Sequence, residues 1–353
     1  MKELIDKLND TKGLTRAEWQ RMIENFSQND IDYAKQAADK IRNAAYGKNV
    51  FIRGLIEISS FCKNDCYYCG IRKSNPNAKR YRLSKPQILS CCEEGYSLGF
   101  RTFVLQGGDD MWYTDSRMVD IISAIRQKYS DCAITLSLGE RDYKSLKLYF
   151  EAGANRYLLR EETASSAHYS LLHPKDMLLL TRKRCLYNLK EIGYQVGCGF
   201  MVGSPFQTAC DLAQDMLFIK ELEPQMVGIG PFLPHKDTPF AHKPPGSVQL
   251  CCFLLSLIRI MLPQVLLPAT TALGSAAGDG RVRGILAGAN VVMPNLSPYA
   301  VRHKYSLYDN KKSLGDESAQ QLAGICQTLK QIGFKIPISR GDYIAVPQRE
   351  EAF

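Results

Sequence analysis

From Val50 onward, short continuous apolar runs alternate with longer segments whose apolar residues recur at helical spacing. The runs read as strands buried on both faces, and the spaced segments as helices that cover them. Strands are predicted at 54–59, 102–107, 133–138, 156–160, 195–202, 226–232, 266–272 and 290–295. Met118, Ile121, Ile122 and Ile125 mark one intervening helix, and Leu212, Met216, Leu217 and Ile219 another. Four similar phrases recur: Leu98-Gly99-Phe100, Ala152-Gly153-Ala154, Ile192-Gly193-Tyr194 and Ala287-Gly288-Ala289. Each reads as a helix that ends on a left-handed glycine just before a strand. The repeated unit predicts an α/β chain folded as a (β/α)8 barrel. An open six-unit barrel is the alternative, and the last two candidate strands speak against it. Residues 1–49 read as a helical extension with an apolar stripe at Ile31, Ala34, Ala38 and Ile41, and a capping box at Thr15 and Glu18. It is expected to close one end of the barrel formed by 50–300. Residues 301–353 are expected to pack on the barrel as a closing segment.

Composition narrows the class. The 353 residues are 45% hydrophobic and 23% charged, enough for a large core. The net charge of +9 is not gathered into a block, so nucleic-acid binding is not expected. A solvated basic surface accounts for it, and attraction for anionic ligands or an acidic partner is the functional alternative. Twelve cysteines, some in adjacent pairs such as Cys91-Cys92 and Cys251-Cys252, do not form a disulfide framework. The amino end lacks a signal-peptide core. The apolar stretch 254–267 is interrupted by Arg259, Pro263 and Gln264, so no membrane span is expected. These features point to a reduced, cytoplasmic protein.

The candidate chemistry is concentrated after the first strand. Cys62, Cys66 and Cys69 stand at C-x3-C-x2-C spacing, with Tyr68 before the last. Three thiolates are one short of a closed zinc site or an ordinary iron–sulfur cluster. The loop therefore reads as a cluster with one open iron, or as a zinc knuckle with a distant fourth ligand. Barrel enzymes work at the carboxyl ends of their strands. There the sequence places Gly107-Gly108-Asp109, Ser137, Glu140, Arg160, Glu162 and Met201. Arg160 and Glu162 are two apart and can share a face. Arg160 could grip a carboxylate, and Arg182, in the following helix, is a weaker candidate for the same task.

The cysteine spacing resembles that of the radical S-adenosylmethionine (SAM) superfamily. The resemblance implies a [4Fe–4S] cluster whose open iron chelates SAM, and reductive release of a 5′-deoxyadenosyl radical. It gives Gly107 and Gly108 the place of the segment that meets the SAM amino group, although that family usually has glutamate where Asp109 stands. Glu140 would meet ribose hydroxyls, and Tyr68, Ser137, Glu162 and Met201 would complete the cofactor site. Longer strings resemble the HydE family of [FeFe]-hydrogenase maturases. They include Tyr68-Cys69-Gly70-Ile71-Arg72, Thr135-Leu136-Ser137-Leu138-Gly139-Glu140, Met226-Val227-Gly228-Ile229-Gly230-Pro231-Phe232 and Pro268-Ala269-Thr270-Thr271-Ala272. That resemblance implies work on the two-iron centre of the hydrogenase beside sister maturases, with ferredoxin or flavodoxin as electron donor. A monomer is the default, because a closed barrel buries its own sheet. Some relatives carry a second cysteine trio; the matching stretch 313–324 has none, and Cys326 stands alone.

Three other readings remain. A biotin synthase-like sulfur-inserting enzyme would need a cysteine facing the barrel in the fifth strand, and Cys198 is one residue out of step. A methylornithine synthase-like mutase is nearer, but Gly70 and the 226–232 string fit the maturase better. A non-catalytic iron–sulfur or zinc scaffold would not need Gly107, Gly108, Glu140 and Arg160. The substrate chamber is expected below the SAM layer, lined by Thr135, Arg156, Met226, Thr270, Thr271 and Met293, with Tyr305 and Tyr308. The bland alternative is barrel filler. Arg156 argues against it, since no acid in its strand can pair with it and a lone buried guanidinium is costly. The HydE resemblance implies a small iron unit carrying carbon monoxide, cyanide and a cysteine-derived group, whose anionic charge would suit Arg156.

Overall fold

A computed structural model describes residues 1–311 and 318–345. Its strands are β1 (Phe51–Ile52), β2 (Gly54–Ser59), β3 (Thr102–Gly107), β4 (Ala133–Ser137), β5 (Arg156–Leu158), β6 (Gln195–Cys198), β7 (Met201–Val202), β8 (Met226–Val227), β9 (Gly230–Pro231) and β10 (Val291–Val292). Strands β2, β3, β4, β5, β6 and β8 form one parallel sheet in chain order. Thinner pairings close the circle. Met226 bridges Leu266, Pro268 bridges Val291, β1 pairs with β10, and Leu55 bridges Asn295, all parallel. Eight positions thus surround one lumen, as the repeat predicts.

The last two positions are much shorter than expected. Pro268 has no N–H for a ladder, and a helix, Thr271–Ala276, begins inside the predicted strand. The predicted strands 195–202 and 226–232 are each broken midway. Gly199 has φ +151°, and a Cβ there would overlap the Gly228 carbonyl. The two strands step together at this point and resume as the pair β7–β9. All six residues of β2 are buried, Glu57 and Ser59 included, so the strand is covered on both faces. The four helix-ending glycines have φ of +93°, +116°, +105° and +107°, as their phrases predict.

The amino-terminal helices are Lys2–Thr11, Arg16–Asn25 and Gln28–Tyr46, and the Thr15–Glu18 capping box forms. Their position corrects the expectation that they close an end of the barrel. Arg16–Asn25 lies on helix Ala209–Leu222, and Gln28–Tyr46 lies on helix Val248–Met261. Every residue of the latter from Cys251 to Met261 is buried. A helix apolar all round needs cover on its outer side, and the stripe of Ile31, Ala34 and Ala38 belongs to the helix that supplies it.

The amino end of the barrel is sealed by the carboxyl-terminal segment instead. The Thr102 hydroxyl donates to the Arg340 carbonyl at 2.8 Å, and Arg156 donates to Asp342 at 2.6 Å. Gly341, at φ +56°, lies so close to Phe51 that no Cβ would fit. Part of the stretch 313–324, named above for its lack of cysteine, lies outside the described residues. Among those described, no helix is long and apolar enough to cross a membrane.

The step at Gly199 yields a test. Gly199→Ala places a methyl against a backbone carbonyl and a side chain at an unfavourable φ. It should destabilise the fold by about 2–3 kcal/mol, read as a lower denaturant midpoint. An unchanged midpoint would mean that the two strands can separate there without cost.

Candidate active site at the carboxyl end of the barrel

The cysteine loop leaves β2 at Ser59, whose hydroxyl accepts from Phe61 N–H at 3.0 Å and donates to Asp110 at 2.6 Å. Arg80 fastens the loop, donating to the carbonyls of Ser60, Ile71 and Arg72 at 2.5, 2.7 and 2.6 Å. Asp65 is gripped by Arg72 through Nε at 2.8 Å and a terminal nitrogen at 2.5 Å. The turn after β3 closes over the other side. Asp109 N–H donates to Cys62 Sγ at 3.4 Å, and Lys63 N–H donates to the Asp109 carbonyl at 2.9 Å. A Cβ on Gly108 would overlap the Phe61 carbonyl. Gly108 is therefore required by the cysteine loop itself, before any ligand is considered. The Asp109 carboxylate is held by Arg141 and Lys63.

Burial pushes all three thiols up, Cys66 to about 12, and the nearby thiols Cys62 and Cys66 push Cys69 up further. The Arg182 guanidinium pulls Cys66 down, and Arg80 does the same for Cys62. The thiols therefore share one field. Yet among the described residues no three His, Cys, Asp or Glu side chains are gathered tightly enough for a single metal ion.

Beside the thiols stands a relay of ion pairs. Glu140 binds Arg182 Nε, and Arg182 donates to the Arg160 carbonyl at 2.7 Å. Arg160 and Glu162 approach to 3.2 Å. Their atoms are misaligned for hydrogen bonding, so two Arg160 nitrogens and one Glu162 oxygen lie buried without a hydrogen-bond partner. Glu162 holds φ +67°, a conformation that costs an ordinary residue about 1 kcal/mol or more and tends to mark functional sites. The preceding residue, Glu161, is fully buried, and its carboxylate accepts from Gly199 N–H at 2.7 Å.

Tyr68 packs edge-on against His173, with 3.1 Å from its hydroxyl to Nε2. His173 Nδ1 faces the Tyr169 carbonyl at 3.0 Å, and burial lowers this histidine to about 3. The neutral ring carries its proton on Nδ1, so Tyr68 donates to Nε2. Tyr68 and Met201 belong to an apolar wall with Leu172, Phe232 and Phe240. Ser137 and Gly107 are the last residues of β4 and β3, at the carboxyl end of the sheet.

The chamber residues are placed unevenly. Thr135 is buried, with its hydroxyl unpartnered. Thr270 donates to the Ile229 carbonyl at 3.4 Å, and Thr271 opens the short helix. Tyr305 is buried in the field of Cys62, Cys69 and Glu57, while Tyr308 is half-buried. Met226 and Met293 pack with Tyr46 and Phe51. Arg156 is a correction. It does not lack an acid: Asp342 pairs with it from far along the chain, and Gln195, Thr102, and the Arg340 and Gly341 carbonyls take its other N–H groups. An unsatisfied guanidinium nearby is Arg53, which the sequence reading missed. It reaches across the lumen to Met226 Sδ at 2.9 Å, and two of its nitrogens have no partner. A lone cation between the apolar pairs Phe51-Ile52 and Leu55-Ile56 was the available signal.

Cys198 lies in the field of Glu161 and Asp215, the latter on the outer helix Ala209–Leu222. It therefore faces the helical layer, as the one-residue offset implies.

Residues 56–219 match the profile of the Radical SAM superfamily. Over 339 residues the chain is 39% identical to the [FeFe] hydrogenase maturase subunit HydE of Thermotoga maritima, with 95% of each covered. The chain belongs to the HydE family of radical SAM enzymes. It is also 27% identical to 3-methylornithine synthase of Methanosarcina barkeri, over 97% of this chain and 96% of that protein. The crystal structure of methylornithine synthase superposes with a TM-score of 0.82 at 26% identity, covering 95% and 97% of the two chains. The hydrogenase maturase HydG of Carboxydothermus hydrogenoformans gives 0.79 at 20% identity, covering 95% of this chain and 79% of its own, and speaks to fold alone. Radical SAM enzymes use a [4Fe–4S] cluster and SAM. The shared thiol field and the unsatisfied ends of Arg160 and Glu162 fit both.

Two expectations follow. After anaerobic reconstitution the protein should bind about four irons per chain. Alanine at Cys62, Cys66 or Cys69 should abolish cluster redox activity and SAM cleavage, and Cys326→Ala should leave both intact. A firm count near eight, with cleavage lost on Cys326→Ala, would reveal a second cluster. The other concerns Glu161, whose carboxyl burial raises from 4.5 to about 7. A raised carboxyl means that the native state binds the extra proton. Its stabilising contribution is full below pH 4.5 and is lost as pH rises through about 7. Glu161→Gln should flatten the stability profile across that window. An identical slope in both proteins would place the titration elsewhere.

Proposed function

We propose that this enzyme acts in maturation of the [FeFe]-hydrogenase active site, using a [4Fe–4S] cluster to cleave SAM reductively. One observation carries the reading: three thiols of one loop stand beside an Arg160–Glu162 pair whose polar ends are unsatisfied, at the mouth of a closed barrel. Cys62, Cys66 and Cys69 would hold the cluster. Arg160 would take the SAM carboxylate and Glu162 its ammonium, with the Gly107-Gly108 backbone beside them. Glu140, oriented by Arg182, would accept from ribose hydroxyls. Tyr68, Met201 and Ser137 would line the nucleoside. When bound, the cluster supplies the electron that breaks a carbon–sulfur bond of SAM.

The substrate is read as a small, anionic, cysteine-bearing iron unit with carbon monoxide and cyanide ligands. Arg53 supports an anion in the lumen, since a buried guanidinium with free N–H groups is costly unless a ligand meets it. Thr135 offers a hydroxyl, and the methionines an adaptable apolar wall. Other hydrogenase maturases and a ferredoxin or flavodoxin would be its partners. We read it as a cytoplasmic monomer.

Arg160→Ala should weaken SAM binding by about 2–5 kcal/mol, as loss of a desolvated charge pair does, with the cluster retained. Unchanged affinity in titrations followed by electron paramagnetic resonance removes Arg160 from the site. Arg53→Met should still cleave SAM without substrate, yet fail to support hydrogenase maturation in a reconstituted assay. Full maturation by that variant moves the substrate anion elsewhere.

A further inference from the structure

The turn after β3 carries two large apolar side chains into solvent, Met111 at 61% and Trp112 at 38% exposure. Such exposure needs a reason when it adjoins a functional site. This turn touches the cysteine loop directly, because Asp109 N–H is bonded to Cys62 Sγ and the Asp109 carbonyl to Lys63 N–H. Lys63 is the exposed residue of the cysteine loop, and its ammonium lies 3.9 Å from Met111 Sδ. Cations ring the pair. The Arg117 guanidinium stands 4.0 Å from the centre of the Trp112 ring, and Arg82 stands 5.6 Å from it and 3.8 Å from the Phe61 ring. The nearby carboxylates, Asp109 and Asp110, are buried and matched by Arg141, Lys63 and Arg82. What faces solvent is an apolar centre with a basic rim. Aromatic and arginine side chains in this arrangement anchor interfaces, and the sign of the rim selects an acidic partner.

We propose that the Met111–Trp112 surface docks an acidic one-electron carrier protein, which delivers its electron on the Cys62 side of the site. The inference rests on the reductive SAM cleavage proposed above and names its donor surface. The carrier is oxidised by one electron. That electron is consumed when a carbon–sulfur bond of SAM breaks, and no proton moves.

The test uses the reconstituted protein with two reductants. Dithionite needs no docking surface, and reduced ferredoxin, an acidic carrier, does. Trp112→Ala and the double variant Met111→Glu with Arg117→Glu should keep dithionite-driven cleavage within about twofold and lose about tenfold or more with ferredoxin, a factor of ten being 1.4 kcal/mol of binding. Direct ferredoxin binding, by calorimetry, should fall likewise and weaken with added salt in the unaltered protein. Binding that is insensitive to these substitutions overturns the proposal, whatever cleavage does. Equal losses with both reductants also overturn it, because the turn would then act only by positioning Cys62. Self-association that the substitutions abolish, seen by ultracentrifugation, would assign the surface to a second copy of the chain instead. Failure of SAM cleavage with dithionite, with ferredoxin binding intact and lost in the variants, would sink the functional reading and leave the surface standing.

Discussion

Three thiols taken out of water resist ionisation, and the mouth of the barrel is arranged around that resistance. The protein offers partial relief: a backbone N–H at Cys62, and the charges of Arg80 and Arg182. Burial still dominates at each thiol. The charge of a bound metal cluster would stabilise three thiolates there, and would link loading of the site to the order of its loop. The surrounding acids obey the same constraint. Asp65, Asp109, Asp110 and Glu140 each have an arginine of their own. Arg160 and Glu162 approach each other to 3.2 Å and keep buried atoms without a hydrogen-bond partner.

The two ends of the barrel treat arginine differently. At the mouth, guanidinium groups orient acids. Toward the floor, Arg53 and Arg156 lie in each other's field, with Asp342 as the acid acting on both. Arg156 spends its donors on the carboxyl-terminal segment and so welds the floor shut. Arg53 is left facing the lumen. In a closed, desolvated floor of this kind charge–charge attraction is stronger than in bulk solvent.

Much of the fold was legible because its causes are local. The strands β2 and β3 run one or two residues past their apolar stretches, to Ser59 and Gly107, as the sequence predicts. The helix-ending glycines announced themselves through a backbone conformation that other residues avoid. The cysteine loop was legible from spacing alone. The failures share one origin, partners distant in sequence. Arg156 looked unpaired because Asp342 comes from the far end of the chain. The amino-terminal helices looked like an end cap because the helix that needed their cover, Val248–Met261, lies some two hundred residues on. Gly108 was read through a ligand, whereas the Phe61 carbonyl already excludes a side chain. Glu162 was placed on an extended strand; it bridges Phe200 in parallel, and no pattern of apolar residues encodes its positive φ.

Gly70 shows how tightly the cysteine loop is bound to the rest of the site. Its N–H donates to the Leu307 carbonyl at 2.8 Å. A Cβ there would overlap both the Ser306 carbonyl and the His235 ring. The segment that passes over Gly70 carries Tyr305, which is buried in the field of Cys62 and Cys69, and continues to Lys311, which pairs with Glu57. Asn295 holds the other oxygen of that carboxylate at 2.9 Å. The loop that would carry the cluster, the wall of the lumen and the segment after the last strand are therefore one continuous contact. A larger residue at position 70 would have to lift this segment, exposing the thiols and opening the lumen together. Glycine here keeps water from both, and a radical enzyme needs both kept dry.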